Sequence, residues 1–213
     1  MAAQIRESVA IPAGDVGLDG ELVVPAGATG LVVFAHGSGS SRKSPRNNFV
    51  AAVLRERGLG TLLFDLLTAE EDRTYETRFD VDLLTDRLLA ATEWLRGREG
   101  TRDLRLGYFG SSTGAAAALR AAARLGDDVG AVVSRGGRVD MASEQVPDVT
   151  AATLFVVGGA DTDVLALNRA AFADLTCRKE LSVVEGAGHL FEGPGELEAV
   201  ADRAAAWFDD HLS

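Results

Sequence analysis

Three side chains that together could perform nucleophilic chemistry each follow an apolar segment of strand-like length. They are Ser112, Asp161 and His189, in that order along the chain. A serine hydroxyl is a weak nucleophile until an adjacent base takes its proton, and an imidazole is well suited to do so near neutral pH. A carboxylate can hold that imidazole in the required tautomer and stabilise its protonated form. The three residue types therefore indicate acyl chemistry, provided that the fold brings them together.

The serine lies in a short turn framed by glycines. Ser112 has Gly110 and Gly114 two residues before and after it, a frame that Ser111 lacks. An apolar strand precedes the turn and the alanine-rich run 115–119 follows it. This context predicts a sharp strand-to-helix corner that raises the hydroxyl above the sheet. The pattern defines only three positions in a chain with 24 glycines, so a chance match is the alternative reading.

The choice of base is narrow because the chain has only three histidines. His189 is the candidate base. His211 falls in the last turn of the terminal helix, where an imidazole commonly caps the helix or faces solvent. His36 falls in a glycine-rich turn that we expect to shape an oxyanion loop, with the backbone amides of Ser38 and Thr113 as donors to the developing negative charge. For Ser38 the alternative is a plain flexible turn.

Short apolar runs alternate with helix-like segments along the chain. This alternation predicts an α/β protein, with a mainly parallel sheet covered by helices on both faces. Active sites in such sheets lie at the carboxyl ends of the strands, where all three chemical residues occur. A turn at 13–15 between the segments 8–12 and 21–24 predicts an antiparallel hairpin at the sheet edge. The runs that we assign to buried strands are 31–35, 60–64, 104–109, 131–133, 153–157 and 181–184.

Three helices have individual signals. Ser44 followed by Pro45 predicts a helix start, and Gly58 predicts its end. Apolar residues spaced by three and four between positions 81 and 95 predict a second helix with one buried stripe. The last helix begins near Gly193 and Pro194. The segment 136–149 is too short to form a lid domain, and we expect residues 1–213 to form a single domain.

Taken together, these motifs resemble those of an α/β-hydrolase of the dienelactone-hydrolase-like group, over nearly the whole chain. The resemblance implies an eight-stranded sheet, a triad of the three residues named above, and cleavage of small carboxylic esters or lactones. The founding dienelactone hydrolases have a cysteine where this chain has Ser112, so the dienelactone substrate does not carry over. The matching segments are Gly-Ser-Ser-Thr-Gly at 110–114, Gly-x-Asp-x-x-Val at 159–164 and Gly-Ala-Gly-His-Leu-Phe at 186–191.

The acid of the triad has two candidates. Asp161 matches the spacing of the resembled family, whereas Asp163 lies two residues further on. Asp163 could instead cap the helix that follows. We therefore expect Asp161 to orient His189.

Composition restricts the partners of the chain. Its 213 residues carry a net charge of −11, which argues against nucleic acid or an anionic membrane surface as a partner. The single cysteine, Cys177, excludes an internal disulfide. No phosphate-binding loop, zinc-binding helix motif or Cys-x-x-Cys pair occurs, so we expect neither cofactor nor metal. No apolar segment has the length of a signal peptide or membrane span, which predicts a cytoplasmic protein. We expect the protein to be a monomer or a homodimer.

Two functions compete with ester hydrolysis. The same triad could transfer an acyl group to another acceptor or perform perhydrolysis, and a binding protein could keep the fold without turnover.

Arginines at strand ends, Arg42 and Arg135, predict a substrate with a carboxylate or similar anion, because a guanidinium can bind such a group at two points. The alternative is that these arginines pair with nearby acids such as Asp65 or Asp140.

Overall fold

Eight strands form one sheet in the computed structural model, which describes residues 4–212. The spatial order is β1-β2-β4-β3-β5-β6-β7-β8. Strand β2 is antiparallel to both neighbours, and the other pairings are parallel. The strands are β1 Ile5–Ala13, β2 Val16–Val24, β3 Gly30–Ala35, β4 Gly60–Phe64, β5 Arg105–Ser111, β6 Val129–Arg135, β7 Ala152–Gly158 and β8 Lys179–Val184.

Five α-helices cover the sheet within the described residues. The first is capped as the sequence predicts, since the Ser44 hydroxyl accepts from the Asn47 amide and Pro45 occupies the first turn. Asp80 caps the second in the same way, through the amide of Leu83. The helices are α1 Pro45–Glu56, α2 Val81–Arg96, α3 Thr113–Leu125, α4 Thr162–Asp174 and α5 Glu196–Leu212.

Two separate apolar cores lie on the two faces of the sheet. Alternate residues of β3 point to opposite faces, so Leu31 and Val33 pack with α2 and α3, whereas Val32 and Phe34 pack with α1 and α5. A central strand that is buried on both faces must be apolar throughout, and this explains the unbroken apolar run in the sequence. The structure therefore confirms the predicted eight-stranded, mainly parallel α/β sheet with helices on both faces.

The predicted edge hairpin is also present. Strands β1 and β2 pair antiparallel, with Ala13 opposite Val16, so that Gly14 and Asp15 form the two-residue turn. Gly14 has a φ of +66°, a left-handed conformation that glycine adopts without strain. Between β6 and β7 the chain forms short 3₁₀ turns packed on α3 instead of a lid. No helix among residues 4–212 is long and apolar enough to cross a membrane.

Candidate active site

Ser112 occupies a strained corner between β5 and α3. Its φ of 50° and ψ of −119° lie outside the regions that a serine normally adopts. The corner depends on its glycines, because a Cβ on Gly110 would overlap the backbone of Ala115, and one on Gly114 would overlap the carbonyl groups of Ala35 and His36. At Gly110 and at Gly114 the neighbouring backbone is so close that no residue larger than glycine fits. This arrangement presents Ser112 beyond the carboxyl end of a central strand.

His189 and Asp161 meet across two neighbouring loops. The imidazole Nδ1 lies 2.6 Å from the Asp161 Oδ2, and the carboxylate side chain is only 15% exposed. The loops themselves are tied together, since the amide of Ala160 donates to the carbonyl oxygen of Ala187 at 3.0 Å. The aspartate and the imidazole are therefore held in position by backbone contacts next to them.

The neighbouring candidates lie elsewhere. Asp163 is exposed in the first turn of α4, whose N-cap position is taken by Asp161. The buried His36 accepts the Leu66 amide at Nε2, which leaves its Nδ1 to donate to the carbonyl of Gly37, and burial lowers its pKa below the ordinary value. His36 is thus a neutral structural group that holds the loop after β3.

The third histidine, His211, packs on α5. Its ring lies against Trp207, and its Nδ1 is bonded to the carbonyl oxygen of the same residue at 2.7 Å. Gly107 and Gly130, on β5 and β6, accommodate this end of the helix, since a Cβ at either position would press on Phe208 or Leu212. His211 therefore belongs to the packing at the opposite end of the strands.

Ser112 and His189 line one cavity of about 540 Å³ above the sheet. Gly37 and Gly136 give the two side chains room, because a Cβ on Gly37 would lie 3.2 Å from the Ser112 Cβ, and one on Gly136 would lie 3.3 Å from the His189 ring. Within residues 4–212 no hydrogen bond joins the Ser112 hydroxyl to the imidazole. Such bonds are often long in proteins without substrate and tighten in the complex.

Two backbone amides beside Ser112 are available as donors. The amides of Ser38 and Thr113 have no hydrogen-bond partner within the described part of the chain. Thr113 is the first residue of α3, so its N–H lies at the positive end of the helix dipole. Ser38 lines the same cavity as Ser112. Unpaired backbone donors of this kind are what an oxyanion hole requires.

Arg135 lines this cavity, whereas Arg42 does not. Arg135 is partly buried with its guanidinium 6.0 Å from the centre of the Phe191 ring, and its buried Nε and Nη1 have no hydrogen-bond partner. Burial, with the positive charge of Arg46 adding to it, lowers the pKa of Arg135 to about 10, so the guanidinium stays charged at neutral pH. The acid named as an alternative partner, Asp140, is instead paired with Arg138.

The contacts of Arg42 favour the alternative given from the sequence, namely that it pairs with nearby acids such as Asp65. Its backbone amide donates to Asp65 at 2.7 Å, its guanidinium pairs with the same carboxylate, and Asp19 lies 3.5 Å away. These groups line a neighbouring cavity on the far side of the loop after β3. Two acids so close satisfy the guanidinium, and Arg42 therefore fastens this loop to β2 and to the end of β4.

One cavity residue, Arg46, and two strained positions next to cavity residues, Gly136 and Phe191, were not found from the sequence. Arg46 lines the cavity from the first turn of α1, where a cation opposes the helix dipole, and that unfavourable placement was the available signal. Gly136 and Phe191 have left-handed φ values of 53° and 54°, and Phe191 shares that conformation only with Ser112 among the non-glycine residues described. Strain in non-glycine residues concentrates at functional sites.

Comparison with known proteins identifies the family and the fold of this chain. The dienelactone hydrolase family matches residues 57–212. The chain belongs to that family. A dienelactone hydrolase from Anabaena variabilis has a crystal structure that superposes with a TM-score of 0.96 at 52% identity, and the match covers 99% of each chain. Est1E from Butyrivibrio proteoclasticus superposes with a TM-score of 0.82 at 16% identity over 95% of this chain and 98% of its own, which shows the shared fold alone.

The curated relatives of this chain are not named as hydrolases. A "putative phosphoribosyl transferase" from Mycobacterium tuberculosis H37Rv is 54% identical over 206 residues, which is 97% of this chain and 46% of the relative. The chain thus spans about half the length of the curated relatives it matches.

Within residues 4–212, no group of three or more His, Cys, Asp and Glu side chains could hold a metal ion.

Proposed function

We propose that this chain is a serine hydrolase that cleaves small carboxylic esters or lactones through an acyl-enzyme on Ser112. The observation that carries the proposal is the strained Ser112 in one cavity with His189, whose Nδ1 is bonded to Asp161 at 2.6 Å. A strained serine costs on the order of 1–3 kcal/mol, a cost that a purely structural turn would not retain. The strain also favours turnover over a binding protein that keeps the fold without activity.

Each proposed step uses a group already described. The Ser112 oxygen attacks the acyl carbon as His189 takes the hydroxyl proton, and the Ser38 and Thr113 amides receive the oxyanion. Loss of one such donor typically costs about 3–4 kcal/mol of transition-state stabilisation. The C–O bond then breaks, and His189 gives its proton to the leaving alcohol. A water molecule, deprotonated by His189, attacks the acyl carbon; the bond to the Ser112 oxygen then breaks, His189 returns the proton to that oxygen, and the acid is released.

Asp161 acts in this proposal without touching substrate. Its carboxylate receives the Nδ1–H of His189, so the other ring nitrogen is free to exchange the proton with Ser112. It also stabilises the imidazolium that forms in each half of the reaction.

The name phosphoribosyl transferase does not replace this proposal. It describes relatives about twice as long as the matched segment, and nothing ties that name to the half that resembles this chain. Acyl transfer to an alcohol, or perhydrolysis, uses the same acyl-enzyme and differs only in the molecule that resolves it. Hydrolysis in the presence of increasing methanol or peroxide distinguishes these, because a transferase forms the ester or peracid in preference to the free acid.

A fluorophosphonate probe tests the nucleophile directly. It should label the wild-type protein and fail to label Ser112→Ala. The matched control is the adjacent Ser111→Ala, because the Ser111 hydroxyl is buried and donates to the Asn47 Oδ1 at 3.3 Å. Ser111→Ala should keep the label, together with activity on p-nitrophenyl esters of short acyl chains. Equal labelling of wild type and Ser112→Ala would refute the proposal.

A further inference from the structure

The cavity that contains Ser112 is cationic although the chain as a whole is acidic. Lys43, Arg46 and Arg135 line it, and none of its lining residues within 4–212 is an aspartate or glutamate. The adjoining cavity, in contrast, is lined by Asp19, Asp65 and Asp72, together with Arg42 and with Lys43, which borders both cavities. In a chain with 32 acidic and 21 basic residues, this separation of charge favours an anionic ligand on the Ser112 side.

The three cations have little protein charge to balance them. Glu192 lies 3.7 Å from Arg46, but its side chain is 72% exposed, so water screens the pair. Arg135 forms no ion pair in the described chain, and two of its nitrogens are buried without a partner. A buried, unpaired guanidinium is costly to the folded protein. A ligand that supplies acceptor oxygens there would remove that cost.

Arg46 adds a second unfavourable charge to the cavity when no anion is bound. It lies in the first turn of α1, where the helix dipole is positive, and its charge opposes the charge of Arg135. The start of α1 itself lines the cavity through Ser44 and Pro45. A helix start and two mutually repelling arginines all become favourable once an anion lies between them.

Hydroxyl donors complete the surroundings. Ser38, Ser40, Ser41 and Ser44 line the same cavity, on the loop that joins β3 to α1. Such hydroxyls can donate to several oxygens of one ligand. A carboxylate offers two oxygens and one charge, whereas a phosphate monoester offers three oxygens and nearly two charges at neutral pH. Among the described residues Arg135 has no acidic partner and Arg46 has only the exposed Glu192, so the cavity keeps positive charge for an anion, to which Lys43 adds from its boundary with the acidic cavity.

We infer that the substrate of this enzyme carries a phosphate monoester, held by Arg135 and Arg46 with Lys43 beside the start of α1. The inference rests on the proposed function for its acyl half, because the phosphate would bind in the same cavity as Ser112. The phosphate does not react. It holds the substrate so that the ester lies beside the serine, and binding energy from such a remote group can be used to orient the reacting one.

Direct binding tests the subsite apart from any turnover. Inorganic phosphate and acetate are titrated into the wild-type protein by calorimetry, and phosphate should bind at least about tenfold more tightly than acetate. Arg135→Gln and Arg46→Gln should each weaken phosphate binding by about tenfold or more. The matched control is Arg57→Gln, which removes one positive charge near the other end of α1, where Arg57 pairs with Asp209. The control should bind phosphate as the wild type does.

Thermal unfolding of the same variants separates a ligand-binding arginine from a structural one. Without phosphate, Arg135→Gln should unfold at the wild-type temperature or above, because an unpaired, repelled charge has been removed. With phosphate, the wild type should gain stability and Arg135→Gln should gain none. An arginine that only supports the fold would give a lower Tm in both conditions. That result, or phosphate binding no tighter than acetate, would overturn the inference.

Activity forms a second, independent arm. The value of kcat/KM for acetoxypropyl phosphate should exceed that for acetoxypropanol by at least about tenfold, and the preference should disappear in Arg135→Gln. Phosphate binding without any ester cleavage would contradict the proposed hydrolase and leave the anion site standing. Ester cleavage with no phosphate binding and no preference would leave the hydrolase and refute the anion site.

Discussion

Asp161 and His189 come from loops that follow neighbouring parallel strands, and their side chains meet at 2.6 Å. The contact depends on the parallel pairing of β7 with β8, which places the ends of both strands at one edge. Gly158 permits it, since a Cβ there would overlap the carbonyl groups of Ala187 and Gly188. The pair is therefore set by backbone packing before any substrate binds.

Replacing Asp161 by asparagine should lower kcat on a p-nitrophenyl ester by about 10³- to 10⁴-fold. The amide cannot accept the Nδ1–H in the same way, so the imidazole loses its orientation and its charge stabilisation. Asp163→Asn is the matched control, because that carboxylate is exposed in the first turn of α4. Its kcat should stay within about twofold of wild type, since changes at such exposed sites are usually small. A larger loss in Asp163→Asn than in Asp161→Asn would show that the acid has been assigned wrongly.

Alanine at Gly114 should destabilise the protein by about 3 kcal/mol or more, because the added Cβ would overlap the carbonyl groups of Ala35 and His36. The control is Gly17→Ala, where a Cβ meets no atom within 4 Å. Urea unfolding measures both, and Gly17→Ala should stay within about 1 kcal/mol of wild type. Equal stability of the two variants would mean that α3 can move away from β3 without cost.

The contacts of Arg42 predict a structural phenotype. Arg42→Ala should lower the free energy of unfolding by about 1 kcal/mol, because the partly buried Asp65 loses its cation. Phosphate binding and the preference for a phosphorylated ester should stay as in the wild type, because Arg42 does not line the Ser112 cavity. Calorimetry and urea unfolding on the one variant check both statements. Weaker phosphate binding with unchanged stability would reverse the assignment.

His36 should make the fold sensitive to acid. Its pKa is lowered in the folded state by burial, so below the ordinary value of 6.5 the unfolded chain takes up a proton that the folded chain refuses. Stability from this residue is therefore intact above pH 6.5 and falls as the pH drops below it, by up to about 1.4 kcal/mol per pH unit. Urea unfolding of wild type and His36→Gln between pH 8 and pH 5 isolates the effect. The two stability curves should converge on acidification, and parallel curves would exclude it.

The sequence alone was sufficient for the fold class, and it selected three residues, Ser112, Asp161 and His189, that the fold places close together. Fully apolar runs such as 31–35 predict strands buried on both faces, and the observed sheet confirms them. The glycine frame of Ser112 is a local property, because the steric demand comes from neighbours within a few residues and from one crossing strand. Local rules of this kind can be read from the chain.

The environment of the arginines was decided only by the tertiary structure. Arg42 and Arg135 both lie near strand ends and look equivalent in the sequence, yet Arg42 meets two carboxylates whereas Arg135 lies over the Phe191 ring and has two buried nitrogens without a hydrogen-bond partner. Ion pairing depends on which distant acids the packed sheet brings within about 4 Å, and chain spacing does not contain that information. Arg46 is a similar case. It shares a cavity with Arg135 because the tertiary structure brings the start of α1 near the end of β6, which the sequence does not indicate. The patterns that predict strands and the strand-to-helix corner at Ser112 depend on residues close in the chain, whereas ion pairing depends on residues that only the assembled sheet brings together.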